Sequence, residues 1–178
     1  MKKIILFILL NYSCLAKAQQ TELIIPAGHQ YGLGISGLKT SPDGSLAVSF
    51  VNQQVKIWDI KRAMLLKTLY MPVGFTCEAA AFSPDSKTLI LSKEQFSLKD
   101  NEPNVYLQII DTKTFLVKKE WPAPKLFMAK AIVFSANGES LFIGCSKGVI
   151  ARLTLATGDV TTFYEPEKKD GYTKELFL

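Results

Sequence analysis

The chain has 178 residues, of which 48% are hydrophobic, 21% charged and 11% aromatic. This composition is typical of a globular chain and excludes a disordered tail, a collagen-like polymer and a multi-span membrane protein. The formal net charge is +5, but it falls to +2 when Lys2, Lys3 and Lys17 are left out. A charge so small and so scattered predicts no surface for nucleic acid or for an anionic membrane.

The N-terminus has the pattern of a targeting segment. Lys2 and Lys3 precede an unbroken apolar run from Ile4 to Leu10, and small residues follow in Ala16-Lys17-Ala18. A basic start, a short apolar run and an Ala-x-Ala site are typical of a secretory signal peptide, and the run is too short to span a bilayer. We therefore interpret residues 1–18 as a signal peptide cleaved after Ala18, and expect a secreted or periplasmic protein without membrane insertion after cleavage.

A repeat organises the rest of the chain. Three segments each contain an apolar stretch, a turn rich in Ser, Pro, Asp, Asn or Gly, and a second apolar stretch. The turns are Ser41-Pro42-Asp43-Gly44, Ser83-Pro84-Asp85-Ser86 and Ser135-Ala136-Asn137-Gly138. Such turns join antiparallel strands, because Pro presets φ and Asp or Asn followed by Gly tolerates the reversal. Two further strands follow in each unit, so that each repeat predicts four short strands, the pattern of a propeller blade.

The motifs resemble those of WD-repeat β-propellers and their quinoprotein-like relatives. Gly28-His29 and Trp58-Asp59 resemble the two signature dipeptides, and Asp111 keeps only the acidic residue of the second. The residues that carry the repeat motif are His29, Pro42, Asp43, Gly44, Trp58, Asp59, Pro84, Asp85, Asp111, Asn137 and Gly138. The resemblance implies an all-β fold: a partial β-propeller of about three four-stranded antiparallel blades after the signal peptide. We expect the blades at about 29–70, 75–121 and 128–164.

The first unit departs from the hydrogen-bonded set of His, Ser or Thr, Asp and Trp that such blades share. His29 and Trp58 fit this set, but Asn52 occupies the position of the Asp, and the hydroxyl position falls near Phe50. We expect a partial network and a structural role for His29.

In propellers of this kind, one face carries the connections between blades and the loops joining second and third strands. The second unit is longer than the first, and we place the excess in a loop from Lys93 to Asn104. Aromatic residues are enriched where proteins meet partners. The candidate partner face comprises Phe75, Phe96, Asp100, Glu102, Trp121 and Phe127. Two alternatives stay open: the loop is a tolerated surface insertion, and Trp121 closes the gap between neighbouring blades.

The sequence favours a non-catalytic protein–protein interaction scaffold. It contains no nucleophile elbow, phosphate-binding glycine loop or metal-ligand spacing, and no cofactor is expected. Only Glu78 and Lys130 lie at blade starts where a propeller enzyme would gather its site. The alternatives are an accessory sensor domain of a larger enzyme, or a propeller hydrolase or lactonase with its site in further blades. Cys77 and Cys145 have small or apolar neighbours, which favours buried thiols without settling their oxidation state.

The last residues resemble the beginning of another repeat. Residues 172–178, from Tyr172 to Leu178, have the pattern of a first strand, and residue 179 would begin the next turn. A ring needs roughly four to eight blades, so we expect an open arc of three blades from a longer chain. The remainder of the propeller is therefore an expected partner, beside another protein.

Overall fold

The computed structural model describes residue 29 and residues 34–97, 102–123, 126 and 128–166. They form three antiparallel sheets of four strands each, which confirms the prediction of an all-β chain with three four-stranded units. Sheet 1 contains β1 (Gly37–Thr40), β2 (Leu46–Val51), β3 (Gln54–Asp59) and β4 (Met64–Tyr70). Sheet 2 contains β5 (Ala80–Phe82), β6 (Thr88–Ser97), β7 (Glu102–Asp111) and β8 (Val117–Pro122). Sheet 3 contains β9 (Ala129–Phe134), β10 (Ser140–Cys145), β11 (Ile150–Thr154) and β12 (Val160–Tyr164).

The strands of each sheet follow one another in chain order, so that every sheet is a meander closed by hairpins. The first strands of the sheets are neighbours, with β5 between β1 and β9. The sheets do not close into a ring. This arrangement is consistent with part of a propeller, in which the first strand of each blade lies nearest the axis. The proposed signal peptide and residues 172–178 lie outside the described residues.

The repeated turn has the same hydrogen bonds in all three sheets. The hydroxyls of Ser41, Ser83 and Ser135 donate to Asp43, Asp85 and Asn137 at 2.6, 2.6 and 2.7 Å. Each serine oxygen also accepts from the backbone N–H five residues later, at 2.9–3.0 Å. The fourth turn residue has a positive φ of 71°, 60° and 73°, which favours glycine and is occupied by Ser86 in sheet 2. Side-chain chemistry within a few residues therefore explains why the turn recurs.

Two apolar clusters hold the sheets together. Alternate residues of β2, β3, β5 and β6 form the cluster between sheets 1 and 2, which includes Val48, Ile57 and Leu91. The cluster between sheets 2 and 3 includes Ile90 and Leu141. Because successive strand residues point to opposite faces, sheet 2 contributes Leu89 and Leu91 to one cluster and Ile90 to the other. Within the described ranges, no helix is long and apolar enough to cross a membrane.

The structure corrects the predicted loop of the second unit. β6 and β7 have ten residues each and pair continuously from Thr88↔Asp111 to Ser97↔Glu102. The interval from Lys93 to Asn104 is therefore largely paired strand, and Glu102 is the first residue of β7. The prediction was wrong because the residues added to the repeat extend two paired strands. Sequence spacing alone cannot distinguish a longer hairpin from a longer loop.

Candidate partner-binding face

One edge of the three sheets carries the β2–β3, β6–β7 and β10–β11 hairpins, and we call it the hairpin face. The connections between sheets run along the same edge. Met71 and Cys77 donate backbone hydrogen bonds to Gln53 and Asn52 of the first hairpin, both at 2.8 Å. Ser146, just after β10, donates to the carbonyl of Met128 at 3.1 Å. The predicted juxtaposition of blade connections and hairpins is therefore present in the structure.

The β6–β7 hairpin is the longest element of this face. Its strands have ten residues each, whereas β2 and β3 have six. Phe96 lies on β6 opposite Pro103, and Asp100 lies outside the described residues. The backbone of the connection joins the base of the hairpin, because Thr76 and Glu94 exchange two hydrogen bonds at 2.8 and 2.9 Å.

Phe75 is half-buried at the base of the β6–β7 hairpin. Its ring meets that of Tyr106 edge to face, with centroids 6.0 Å apart. The ammonium group of Lys93 lies 4.9 Å from the centroid of Phe75 and 4.7 Å from that of Tyr106. Lys93 also donates to both carboxylate oxygens of Glu120, at 2.8 and 2.7 Å. Sequence reasoning selected Phe75 but missed the other three, because their proximity depends on strand register.

Trp121 lies away from the exposed part of the hairpin face. It is 9% exposed and belongs to the cluster between sheets 2 and 3. Its position on β8, opposite Leu107, places the ring against the third sheet. Of the two interpretations left open by the sequence, this position favours inter-sheet packing. Phe127 lies outside the described residues.

Glu78 and Lys130, the two charged residues predicted at blade starts, form an ion pair at 3.0 Å. Glu78 also accepts from the hydroxyl of Thr76 at 3.1 Å. The pair lies beside Glu94, a residue that the sequence analysis did not select. Glu94 is 4% exposed, and its carboxylate forms no ion pair with any described residue. Burial, assisted by the charge of Glu78, raises the pKa of Glu94 to about 7.

His29, Ser49 and Trp58 form the predicted partial network of the first unit. The hydroxyl of Ser49 lies 2.7 Å from Nε2 of His29 and accepts from the indole N–H of Trp58 at 2.8 Å. The predicted hydroxyl position near Phe50 is thus corrected to Ser49. The ring of Phe50 belongs instead to the cluster between sheets 1 and 2, and fits there because Gly37 opposite has no side chain. Nδ1 of His29 is buried and has no hydrogen-bond partner among the described residues.

The two cysteines outside the proposed signal peptide are both buried and lie in different clusters. Cys77 lies between sheets 1 and 2, and Cys145 between sheets 2 and 3. Burial raises the pKa of the Cys77 thiol well above its usual range, and its Sγ lies 3.6 Å from the carbonyl oxygen of Ala79. Over the described ranges, no three His, Cys, Asp or Glu side chains are placed to hold a metal ion.

Comparison with known proteins adds no family to these observations. No protein-family model matches the chain, and no curated protein matches it. The repeat and the geometry of its three sheets therefore carry the functional argument.

Proposed function

We propose that this chain is an exported, WD-repeat-like propeller segment that acts as a non-catalytic protein–protein interaction scaffold. The repeated four-stranded sheets support the propeller assignment, and the basic and apolar pattern before Gln19 supports export. A scaffold of this kind presents its variable residues on the loops and hairpins at one edge.

The observation that carries the proposal is the β6–β7 hairpin. It extends four residues per strand beyond the length of β2 and β3. Its base is fixed by the Thr76–Glu94 backbone pair and by Lys93 between Phe75 and Tyr106. A paired, anchored hairpin presents residues to a partner at a lower entropic cost than a free loop of the same length.

The test is a variant with a shortened hairpin. In this variant, Asn-Gly replaces residues 96–103, so that a two-residue loop joins Gln95 and Asn104, which are already paired. Two-residue loops of this sequence favour a tight hairpin turn. The matched control is Lys87→Ala, an exposed change in the turn between β5 and β6.

Each variant is used for affinity capture from the extracellular and periplasmic fractions of the source cells, followed by titration of the purified captured protein. We expect wild type and Lys87→Ala to bind it equally, and the shortened hairpin to weaken binding at least tenfold. Equal binding by the folded shortened variant would contradict the proposal for this face. Robust turnover in a broad hydrolase screen would contradict the non-catalytic class.

A further inference from the structure

A cleft of about 420 Å³ lies between sheets 2 and 3, toward the edge that carries the repeated turns. Its walls are mainly apolar, and its rim is formed by the turns after β5 and β9. The apolar lining consists of Pro84, Ile90, Ile109, Trp121, Phe134 and Leu155. This volume is within the range of small-molecule sites, which are typically apolar clefts with a few polar groups that fix orientation.

The cleft exists because of a difference between equivalent turns. Phe115 and Gly158 occupy the same position of the third-to-fourth-strand turn, since each donates its N–H to the carbonyl four residues earlier at 2.8 Å. Both have a positive φ, 56° and 81°. The ring of Phe115 packs into the cluster between sheets 1 and 2, whereas Gly158 offers no side chain to the gap between sheets 2 and 3. The second gap is therefore left open beside Trp121.

The ammonium group of Lys119 lies at this cleft and is not paired with an acidic side chain of the described residues. The ammonium group of Lys119 lies 4.4 Å from the ring centroid of Trp121. In the part of the chain that the structure describes, Lys119 forms no ion pair. The carboxylate of Asp85 on the rim already accepts from the hydroxyl of Ser83, and it lies 3.8 Å from the ammonium group of Lys87.

Trp121 adds a hydrogen-bond donor to the same wall. Its ring is largely buried, and its Nε1 lies on the side of Gly158, 3.2 Å from where a Cβ of that residue would be. The N–H has no acceptor among the described residues, whereas the indole N–H of Trp58, on the third strand of sheet 1, is bound to Ser49. The N–H groups of largely buried tryptophan rings usually find a partner, so this donor is available to a ligand.

We propose that this cleft binds a small molecule with an apolar body and a carboxylate group. The apolar walls would cover the body, while Lys119 and the N–H of Trp121 would hold the carboxylate by a charge-assisted contact. The proposal concerns a different edge from the hairpin face and does not depend on partner binding there.

The chain supplies a matched control for Lys119. Lys67 on β4 pairs with Ile57, and Lys119 on β8 pairs with Ile109. A register shift follows Ile57 in β3 and Ile109 in β7, so the two lysines are equivalent. Lys67 thus occupies the equivalent place on sheet 1, where Leu69 stands in the position of Trp121 and Phe115 fills the gap.

The test uses naphthalene-2-carboxylate and its uncharged analogue naphthalene-2-methanol as probes for the full chain. Affinities are measured by calorimetry, and the indole N–H resonances of Trp58 and Trp121 are followed by ¹⁵N NMR, assigned with Trp121→Phe. We expect the carboxylate to shift the Trp121 resonance and to bind about tenfold more tightly than the alcohol. Lys119→Met should remove that tenfold preference, and Lys67→Met should preserve it.

Three results would overturn the proposal: no binding of either probe, equal binding of both, or a carboxylate preference that survives Lys119→Met. A shift confined to Trp58 would do the same. Since Lys119 is exposed, its replacement leaves the packing of the sheets intact, and Trp121→Phe is needed only for assignment.

Discussion

At the residue scale, Glu94 is the least expected feature of the chain. In sequence it is one polar residue in a strand that also contains Ser92 and Lys93, and nothing marks it as buried. Its burial arises from the packing of sheet 2 against sheet 3, a contact between residues far apart in sequence. Glu78 and Lys130 could be selected because their places at blade starts follow from the repeat. The surroundings of Glu94 depend on the inter-sheet angle, which no local pattern encodes.

The stability of the protein should depend on pH through Glu94. Its folded-state pKa of about 7 lies above the value of 4.5 for an unperturbed carboxyl, so the folded state binds the proton more tightly than the unfolded chain. The free energy of unfolding should therefore fall as pH rises from about 4.5 through 7, by up to about 3 kcal/mol, and then level off. Chemical denaturation between pH 5 and 8 measures this.

Glu94→Gln should remove most of this pH dependence, whereas Glu139→Gln, at an exposed position, should retain it. The charged groups beside Glu94 are Glu78 and Lys130, which keep their ion pair in both variants. An identical slope for wild type and Glu94→Gln would show that another group titrates in this interval.

Ser49 should contribute to the stability of sheet 1. It is 2% exposed and is the shared partner of His29 and Trp58. Ser49→Ala leaves two partly buried nitrogen groups without that partner, and should lower the free energy of unfolding by about 1 kcal/mol. A double-mutant cycle with Trp58→Phe should show non-additive losses. Additive losses would mean that the two side chains act independently.

At the scale of elements, the turns were predictable and the strand lengths were not. The Ser-x-Asp and Ser-x-Asn turns have hydrogen bonds within a short stretch of chain, so local chemistry determines them. The β6–β7 hairpin and the register that places Lys93 beside Phe75 depend on pairing across the sheet. The hydroxyl of the His29 network was misplaced by one residue for the same reason, because a shift of one position moves a side chain to the other face.

The turn chemistry gives a prediction for Ser83. Its hydroxyl bonds Asp85 and the N–H of Thr88, and it holds the pKa of Asp85 below its usual range. Asp85 therefore contributes stability above its ordinary pKa, and this contribution is lost as pH falls through the lower folded-state value. Ser83→Ala should cost about 1–2 kcal/mol and raise the pKa of Asp85, which NMR titration of the carboxyl measures. Ser36→Ala, at an exposed position, is the control; an unmoved pKa would contradict this account.

At the scale of the whole molecule, the outer face of sheet 3 is exposed and apolar. Phe163 is 64% and Val133 56% exposed, and the ring of Phe163 meets that of Phe142 edge to face at 5.3 Å. In a repeat architecture each such face is buried by the next unit. The sequence predicted an open arc from the repeat count alone, and the structure identifies the side chains that an open face exposes.

We expect the purified chain to self-associate through this face as its concentration rises. Phe163→Lys should shift sedimentation toward the monomer, whereas Tyr70→Lys should not, although Tyr70 is an equally exposed aromatic residue at 71%. A wild-type chain that remains monodisperse and monomeric at high concentration would contradict this prediction.

The backbone pair between Thr76 and Glu94 has a consequence for hydrogen exchange. Through this pair, the connection from sheet 1 to sheet 2 is hydrogen-bonded to one side of β6, while β7 is paired with the other side. The amide of Thr76 belongs to a connection, yet it can exchange only when that connection separates from β6. Its protection factor should therefore follow that of Glu94 across denaturant concentrations, so that a connection residue and a strand residue report one opening event.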